Sequence, residues 1–177
     1  MDLNFPNEEW LKTGIKILRD EGHHCLTIEK ICTALNQSQE QFSQYYTNFA
    51  GYISCLLEYW YEKETLSYIN AMDEIGGNAE ENLMNLIEMV HYADKQDEIA
   101  IRNWALKCPL TLKAMAKVDR TRLDVGIGLL KEIGFSEKDS ILRARIIYTA
   151  SIGAGYTSIP ASLDQKRAMV GVLIRKN

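Results

Sequence analysis

Residues 26–60, LTIEKICTALNQSQEQFSQYYTNFAGYISCLLEYW, decide the fold. Thr27 is a capping residue, and behind it Ile28, Ile31, Cys32 and Leu35 recur at helical spacing. Asn36 tolerates the left-handed backbone that a tight turn requires. Ser38 followed by Gln41 reads as a capping box, so a second helix starts at once, with Phe42 and Tyr45 or Tyr46 anchoring it to a core. Asn48 caps a further helix that carries the chain away. This is the spacing of a helix-turn-helix, the arrangement with which small proteins set a helix in the major groove of DNA.

Working outward, a first helix is expected over 7–21, with Trp10, Leu11, Gly14, Ile15 and Leu18 on one face and Gly22 at its C-terminal stop. The helix capped by Asn48 should run to the Gly76-Gly77 break. Asn78 with Glu81 opens another helix, carrying Leu83, Leu86, Ile87 and Val90. Further helices are expected over 97–107, from Cys108-Pro109 to Gly134, from Ser136 towards Pro160, and from Ser162 onward. Three prolines and no sustained β-branched alternation leave little room for a sheet. The reading is all-α: a three-helix head at 1–47 on a larger helical-bundle body at 48–177, with the Asn48 helix as connector.

Hydrophobic residues make up 46% of the 177, enough for one sizeable core or a small head on a larger body. No apolar run approaches the ~20 residues that cross a bilayer. The start, MDLNFPNEEW, is acidic and has no apolar stretch of the kind a secretory signal needs. A cytoplasmic protein without a membrane partner is expected. Cys25, Cys32, Cys55 and Cys108 are widely spaced, which predicts buried reduced thiols. His23-His24 is poor metal geometry, and His91 is distant in sequence, so no metal is expected. No Ser-His-Asp set, glycine-rich phosphate loop or paired carboxylates stand out, so neither a cofactor nor an enzyme is expected.

The net charge is −4. Residues 1–60 hold eight acids against four bases (Lys12, Lys16, Arg19 and Lys30), so the head carries the excess. A duplex reader gains affinity by neutralising phosphates, and this head offers little for that. Lys30, with Lys12 or Lys16, is the candidate for phosphate contact. Gln39, Gln41 and Gln44 suit adenine edges, since glutamine can bond bidentately to N6 and N7. Ser38, Ser43, Tyr45 and Thr47 could add neutral bonds to the DNA backbone.

In the body, Trp60, Met84, Met89, Tyr92, Trp104 and Met115 suit an apolar ligand cavity, with Arg102, Tyr92 and Trp104 able to supply polar anchors. Each of these apolar residues could equally be ordinary core. The stretch Ala150-Ser151-Ile152-Gly153-Ala154-Gly155 is too small for a helix without a reason, and close approach of another helix is the natural one. Ile147, Ala150, Gly153, Ala154 and Ile159 are the candidate interface residues.

The chain resembles the TetR family of transcriptional regulators over nearly its full length. In the head the likeness rests on Trp10, Gly14, Leu18, Gly22, Leu26-Thr27-Ile28, Leu35, Ser38, Phe42 and Tyr46, and continues through Tyr52, Leu56, Leu57, Tyr59 and Trp60. In the body it rests on Arg102-Asn103-Trp104-Ala105, Val118-Asp119, Arg122, Gly134-Phe135, Arg143-Ala144-Arg145 and Gly153. The resemblance implies a homodimer joined by the last two helices of each chain. It also implies two heads on palindromic operator DNA and a small-molecule pocket in each body that relieves repression. The departures fall where DNA would be met: Asn36-Gln37 replaces Gly-Val in the turn, Gln39-Glu40 replaces Lys-Gly, Ser43 stands for a phosphate-reaching tyrosine, and Phe49 for a basic residue. Weak, salt-insensitive DNA binding is the expectation. The alternative is a ligand- or protein-binding module that has kept the fold and lost most DNA binding.

Overall fold

The computed structural model describes Phe5 and residues 7–175. Among these the regular structure is helical: α1 Glu8–Glu21, α2 Ile28–Leu35, α3 Gln39–Tyr45, α4 Phe49–Tyr61, α5 Ser67–Ile75, α6 Ala79–Tyr92, α7 Gln96–Ala105, α8 Pro109–Ile133, α9 Glu137–Gly153 and α10 Leu163–Ile174. A 3-10 turn, His23–Cys25, joins α1 to α2, and a π-helical turn, Glu62–Leu66, joins α4 to α5.

Local hydrogen bonding fixes most of these boundaries. Thr27 accepts from the Lys30 N–H, Asn48 from Gly51, and Ser136 from Asp139. Reciprocal capping boxes form at Ser38–Gln41, Asn78–Glu81 and Ser162–Gln165. Asn36 sits at φ 52°, and Gln37 and Asn36 close the end of α2 by donating to the carbonyls of Cys32 and Thr33 at 2.9 and 3.2 Å. That paired closure is a Schellman motif, with asparagine in the left-handed position.

Three expectations need correction. The helix from Asn48 does not run uniformly to the glycine break, because the π-helical turn at Glu62–Leu66 interrupts it. α9 stops at Gly153, and residues 154–156 form turns, so the small-residue stretch marks the end of the helix. The thiols are free, but only Cys32 is buried; Cys25, Cys55 and Cys108 are half-buried.

Packing divides the chain into two compact units. The first comprises Met1–Glu64 with Lys95–Lys117; the second comprises Thr65–Asp94 with Val118–Asn177. In the first, α1 packs on α2, α4 and α7. Its centre is aromatic. Phe42 lies 5.6 Å from Trp10, 5.2 Å from Tyr46 and 5.4 Å from Tyr52, measured between ring centroids. Tyr52 is fully buried, and its hydroxyl donates to the Trp10 carbonyl at 2.8 Å. Burial pushes the Tyr46 and Tyr52 phenols up, so both stay neutral donors. In the second unit, Met72, Leu83, Ile87, Leu129, Leu130, Ala144, Val170 and Ile174 form the core.

Gly14 makes the junction of α1 with α4 possible. A Cβ there would stand 2.0 Å from the Tyr52 hydroxyl and 2.6 Å from Leu56. Gly14→Ala should therefore cost about 2 kcal/mol or more in urea unfolding, as overpacking with loss of a buried hydrogen bond. Gly128→Ala meets no atom within 4 Å and should be neutral or stabilising by roughly 0.5–1 kcal/mol.

Candidate functional site

The turn at Asn36 and the box at Ser38 set the direction of α3 and leave most of it in solvent. Phe42 is the buried residue of α3, while Gln39, Glu40, Gln41, Ser43, Gln44 and Tyr45 are exposed. Several of the candidates already have local tasks. The Gln41 side chain accepts from the Ser38 N–H at 2.8 Å, and Ser38 Oγ accepts from the Gln41 N–H at 3.3 Å. Ser43 Oγ donates back to the Gln39 carbonyl at 2.9 Å. Tyr45 leans on Trp10, with centroids 6.3 Å apart, and Tyr46 is the buried anchor. Gln39 and Gln44 make no side-chain hydrogen bond among the described residues, and Thr47 is exposed beyond them.

Charge on this face is negative. The Ser38 hydroxyl and the Glu40 backbone N–H hold the Glu40 carboxyl below the usual carboxylate range, so it is ionised at neutral pH. The basic residues of the head are each paired with an acid. Lys12 meets Glu8 at 3.0 Å, Lys16 meets Asp20 at 2.5 Å, and Lys30 meets Glu21 at 2.8 Å. Arg19 bridges Asp20 at 3.0 Å and Asp97 at 3.3 Å. Exposed pairs of this kind contribute only about 0–1 kcal/mol each to stability. Their effect on an incoming phosphate is larger in kind, because each cation arrives already compensated.

The candidates for an apolar ligand fall in both units. In the first, Trp60 and Met115 are buried, Trp104 is buried and stacks on His23 with centroids 6.4 Å apart, and Arg102 pairs with Glu98 at 2.8 Å. In the second, Met84 and Met89 pack against the core. Tyr92 is 72% exposed, where a pocket anchor was expected to be enclosed; its place at the last turn of α6 puts the ring outside that core. Met89 and Tyr92, with Tyr68, Ile75, Asn85, Glu88 and Ala93, line an open groove of about 480 Å³.

Two polar contacts in the second unit lie outside the candidate site residues. Arg122 Nε donates to the buried Thr65 hydroxyl at 3.1 Å, and the Tyr148 hydroxyl donates to Asp119 at 2.6 Å. The signal available was Asp119 and Arg122 three residues apart on one helix face. Thr65 could not be found that way, because its position depends on the π-helical turn. Among the described residues no group of His, Cys, Asp or Glu could hold a metal ion. Nor is any helix among them long and apolar enough to cross a membrane.

An apolar stripe crosses the outer surfaces of the last two helices. Leu142 and Ile146, with Ala150 and Gly153, are exposed along α9, and Met169 and Val172 are exposed along α10. Ile159 is exposed in the segment between the helices, and Ala154 is half-buried. Ile147 turns inward and packs on the unit's own core.

No family model matches the sequence, and neither does any curated protein. Solved structures match over almost the full length. A protein of Pseudomonas aeruginosa PAO1, provisionally named a transcriptional regulator, has a TM-score of 0.77 at 14% identity, covering 94% of this chain and 86% of its own. A TetR transcription regulator from Haloarcula marismortui ATCC 43049 has a TM-score of 0.74 at 16% identity, covering 94% and 95%. The multidrug binding protein EbrR, solved with imidazole, has a TM-score of 0.68 at 11% identity, covering 97% of each chain. At these identities the likeness establishes the fold: it is that of the TetR regulators.

Proposed function

We propose that this chain is a cytoplasmic, homodimeric transcriptional regulator. It reads operator DNA with the head, residues 1–47, and responds to a small apolar ligand bound in residues 48–177. The observation that carries this reading is the exposed α3, held at a fixed angle by the Asn36 turn and the Ser38–Gln41 box. Gln39 and Gln44 are left available for base edges, and Lys30 would meet phosphate by exchanging its partner Glu21. The TetR fold supports the same reading. The groove beside Met89 and Tyr92 is the candidate ligand contact within one unit, and EbrR, which binds drugs, has the same fold.

The second reading is a ligand- or protein-binding module that has lost most DNA binding. It is favoured by the ionised Glu40 on the α3 face and by the acid beside each basic residue of the head. Binding to the promoter of the chain's own gene across a salt series separates the two. The regulator reading expects specific but weak binding, with a slope of about −0.9 per phosphate neutralised and only one or two such contacts per head. Glu40→Gln should tighten binding to random duplex up to about fivefold, the scale of one exposed charge interaction. No specific binding at low salt would favour the module; tight binding with a steep slope would overturn the charge argument.

The α9 and α10 stripe supports self-association. Light scattering at micromolar concentration should give a dimer. Gly153→Arg should give a folded monomer, because a Cβ at that position meets nothing within 4 Å in the single chain, whereas a charge buried in a dimer interface costs several kcal/mol. A monomeric unmutated protein would end this part of the proposal.

Apolar ligands should raise the melting temperature. At a hundred times Kd the gain is about 2.7 kcal/mol, or roughly 5–10 °C for a chain of this size. The ligand reading fails if no shift appears across a broad apolar library.

A further inference from the structure

Residues 99–117 cover the end of α7 and the start of α8. They hold Arg102, Lys107, Lys113 and Lys117 and no acid, in a chain of net charge −4. The inner side of this stretch is anchored, since Ile101, Trp104, Thr111 and Met115 are buried. The turn between the two helices is tightly closed. The N–H groups of Lys107 and Cys108 both donate to the Trp104 carbonyl, at 2.9 and 3.1 Å, and Pro109 opens α8 at once. With those anchors inward, the remaining side chains of the same turns face out. Leu106, Leu110 and Leu112 are 82%, 40% and 57% exposed.

A single exposed leucine is ordinary on a protein surface, but three between positions 106 and 112 are a patch. Its charges differ from those of the head. Arg102 and Lys117 are engaged, with Glu98 and Glu58, each at 2.8 Å. Lys107 and Lys113 are exposed and form no ion pair among the described residues. The complement of solvated leucines beside two uncompensated cations is a surface that carries carboxylates beside apolar groups. An anionic lipid surface fits less well. It is wide enough to meet the rest of the first unit, where twelve acids outnumber ten bases. Salt screens charges beyond about 8 Å, so a segment confined to the patch answers to its two lysines. Duplex DNA offers phosphates but nothing that covers the leucines.

We propose that the patch of Leu106, Leu110, Leu112, Lys107 and Lys113 docks an acidic, apolar segment of a partner protein. Carboxylates of the segment meet the two lysines, and its own large apolar side chains cover the leucines. The apolar contact supplies affinity, and the charges supply orientation and rate of encounter. The closed turn and the buried anchors hold the patch in place before binding, so little ordering is needed on this side. The patch shares no residue with the α3 face, with the α9 and α10 stripe or with the groove beside Tyr92, and it does not rest on the reading of any of them.

The test titrates the full-length protein into a fluorescein-labelled peptide of repeated Leu-Leu-Glu-Glu, read by fluorescence anisotropy. One comparison peptide has Ser for Leu, and another has Lys for Glu. The Leu/Glu peptide should bind about tenfold or more tightly than either comparison, and several-fold less tightly at roughly 500 mM salt than at 50 mM. Lys107→Glu with Lys113→Glu should weaken binding about tenfold, the scale of two reversed surface charges. Leu106→Ser with Leu112→Ser should weaken it by a similar factor, while Lys138→Glu, at an exposed position of the second unit, should leave it unchanged. All the substituted side chains are exposed, and circular dichroism of each variant should match the parent. No binding of the Leu/Glu peptide at about 1 mM would overturn the proposal. So would binding that both double variants leave unchanged. Phosphatidylglycerol vesicles or random duplex bound through Lys107 and Lys113, where the peptide is not, would replace the partner with a lipid or a nucleic acid. A change of oligomeric state in the double variants would make the patch a contact between copies of this chain, and would equally overturn the proposal.

Discussion

The hydroxyl of Tyr52, donated to the Trp10 carbonyl across the gap left by Gly14, is the constraint on which the first unit rests. It sets how closely α4 approaches α1. The same ring is the inner wall of the cluster that holds Phe42 and Tyr46, hence α3. A buried phenol needs an acceptor, and a backbone carbonyl one helix away is available only at contact distance. Placement of α3 therefore depends on a buried hydrogen bond between two other helices as well as on the Asn36 turn and the Ser38–Gln41 box.

The basic side chains of the head are engaged with acids. Lys12 and Lys16 each find an acid four residues away, on their own helix. Lys30 finds Glu21 across the 3-10 turn, and Arg19 reaches Asp97 of α7. These contacts add little stability at an exposed surface. They do lower the local potential that would draw a polyanion towards the protein. On the proposed reading, a head of this kind would depend on base-edge contacts from Gln39 and Gln44.

Local chemistry was legible in the sequence. Thr27, Ser38–Gln41, Asn48, Asn78–Glu81, Ser136 and Ser162–Gln165 all mark helix starts, because a cap is decided by residues within one turn. The left-handed Asn36 was legible for the same reason. The π-helical turn at Glu62–Leu66 was not, since nothing in its residue types marks it. The end of α9 at Gly153 was overshot because the small residues there were read as a site of close helix approach and not as a stop. At the candidate site, residue type named the α3 face, but it could not show that Ser38 and Gln41 spend their side chains on each other. In the body, Trp60 and Met115 read equally well as pocket wall or as core, and residue type alone does not separate those roles.

The first unit is assembled from two stretches of chain, and that order has a consequence during synthesis. α1 packs against α7, whose residues lie beyond Lys95. At ribosomal rates of about 5–20 residues per second, the interval between making residue 64 and residue 117 is roughly 3–10 s. Through that interval the apolar side of α1 that α7 will cover, together with the ring of His23, waits without its partner. The nascent helix-turn-helix therefore completes its packing only after a segment some thirty residues downstream of α4 has been made.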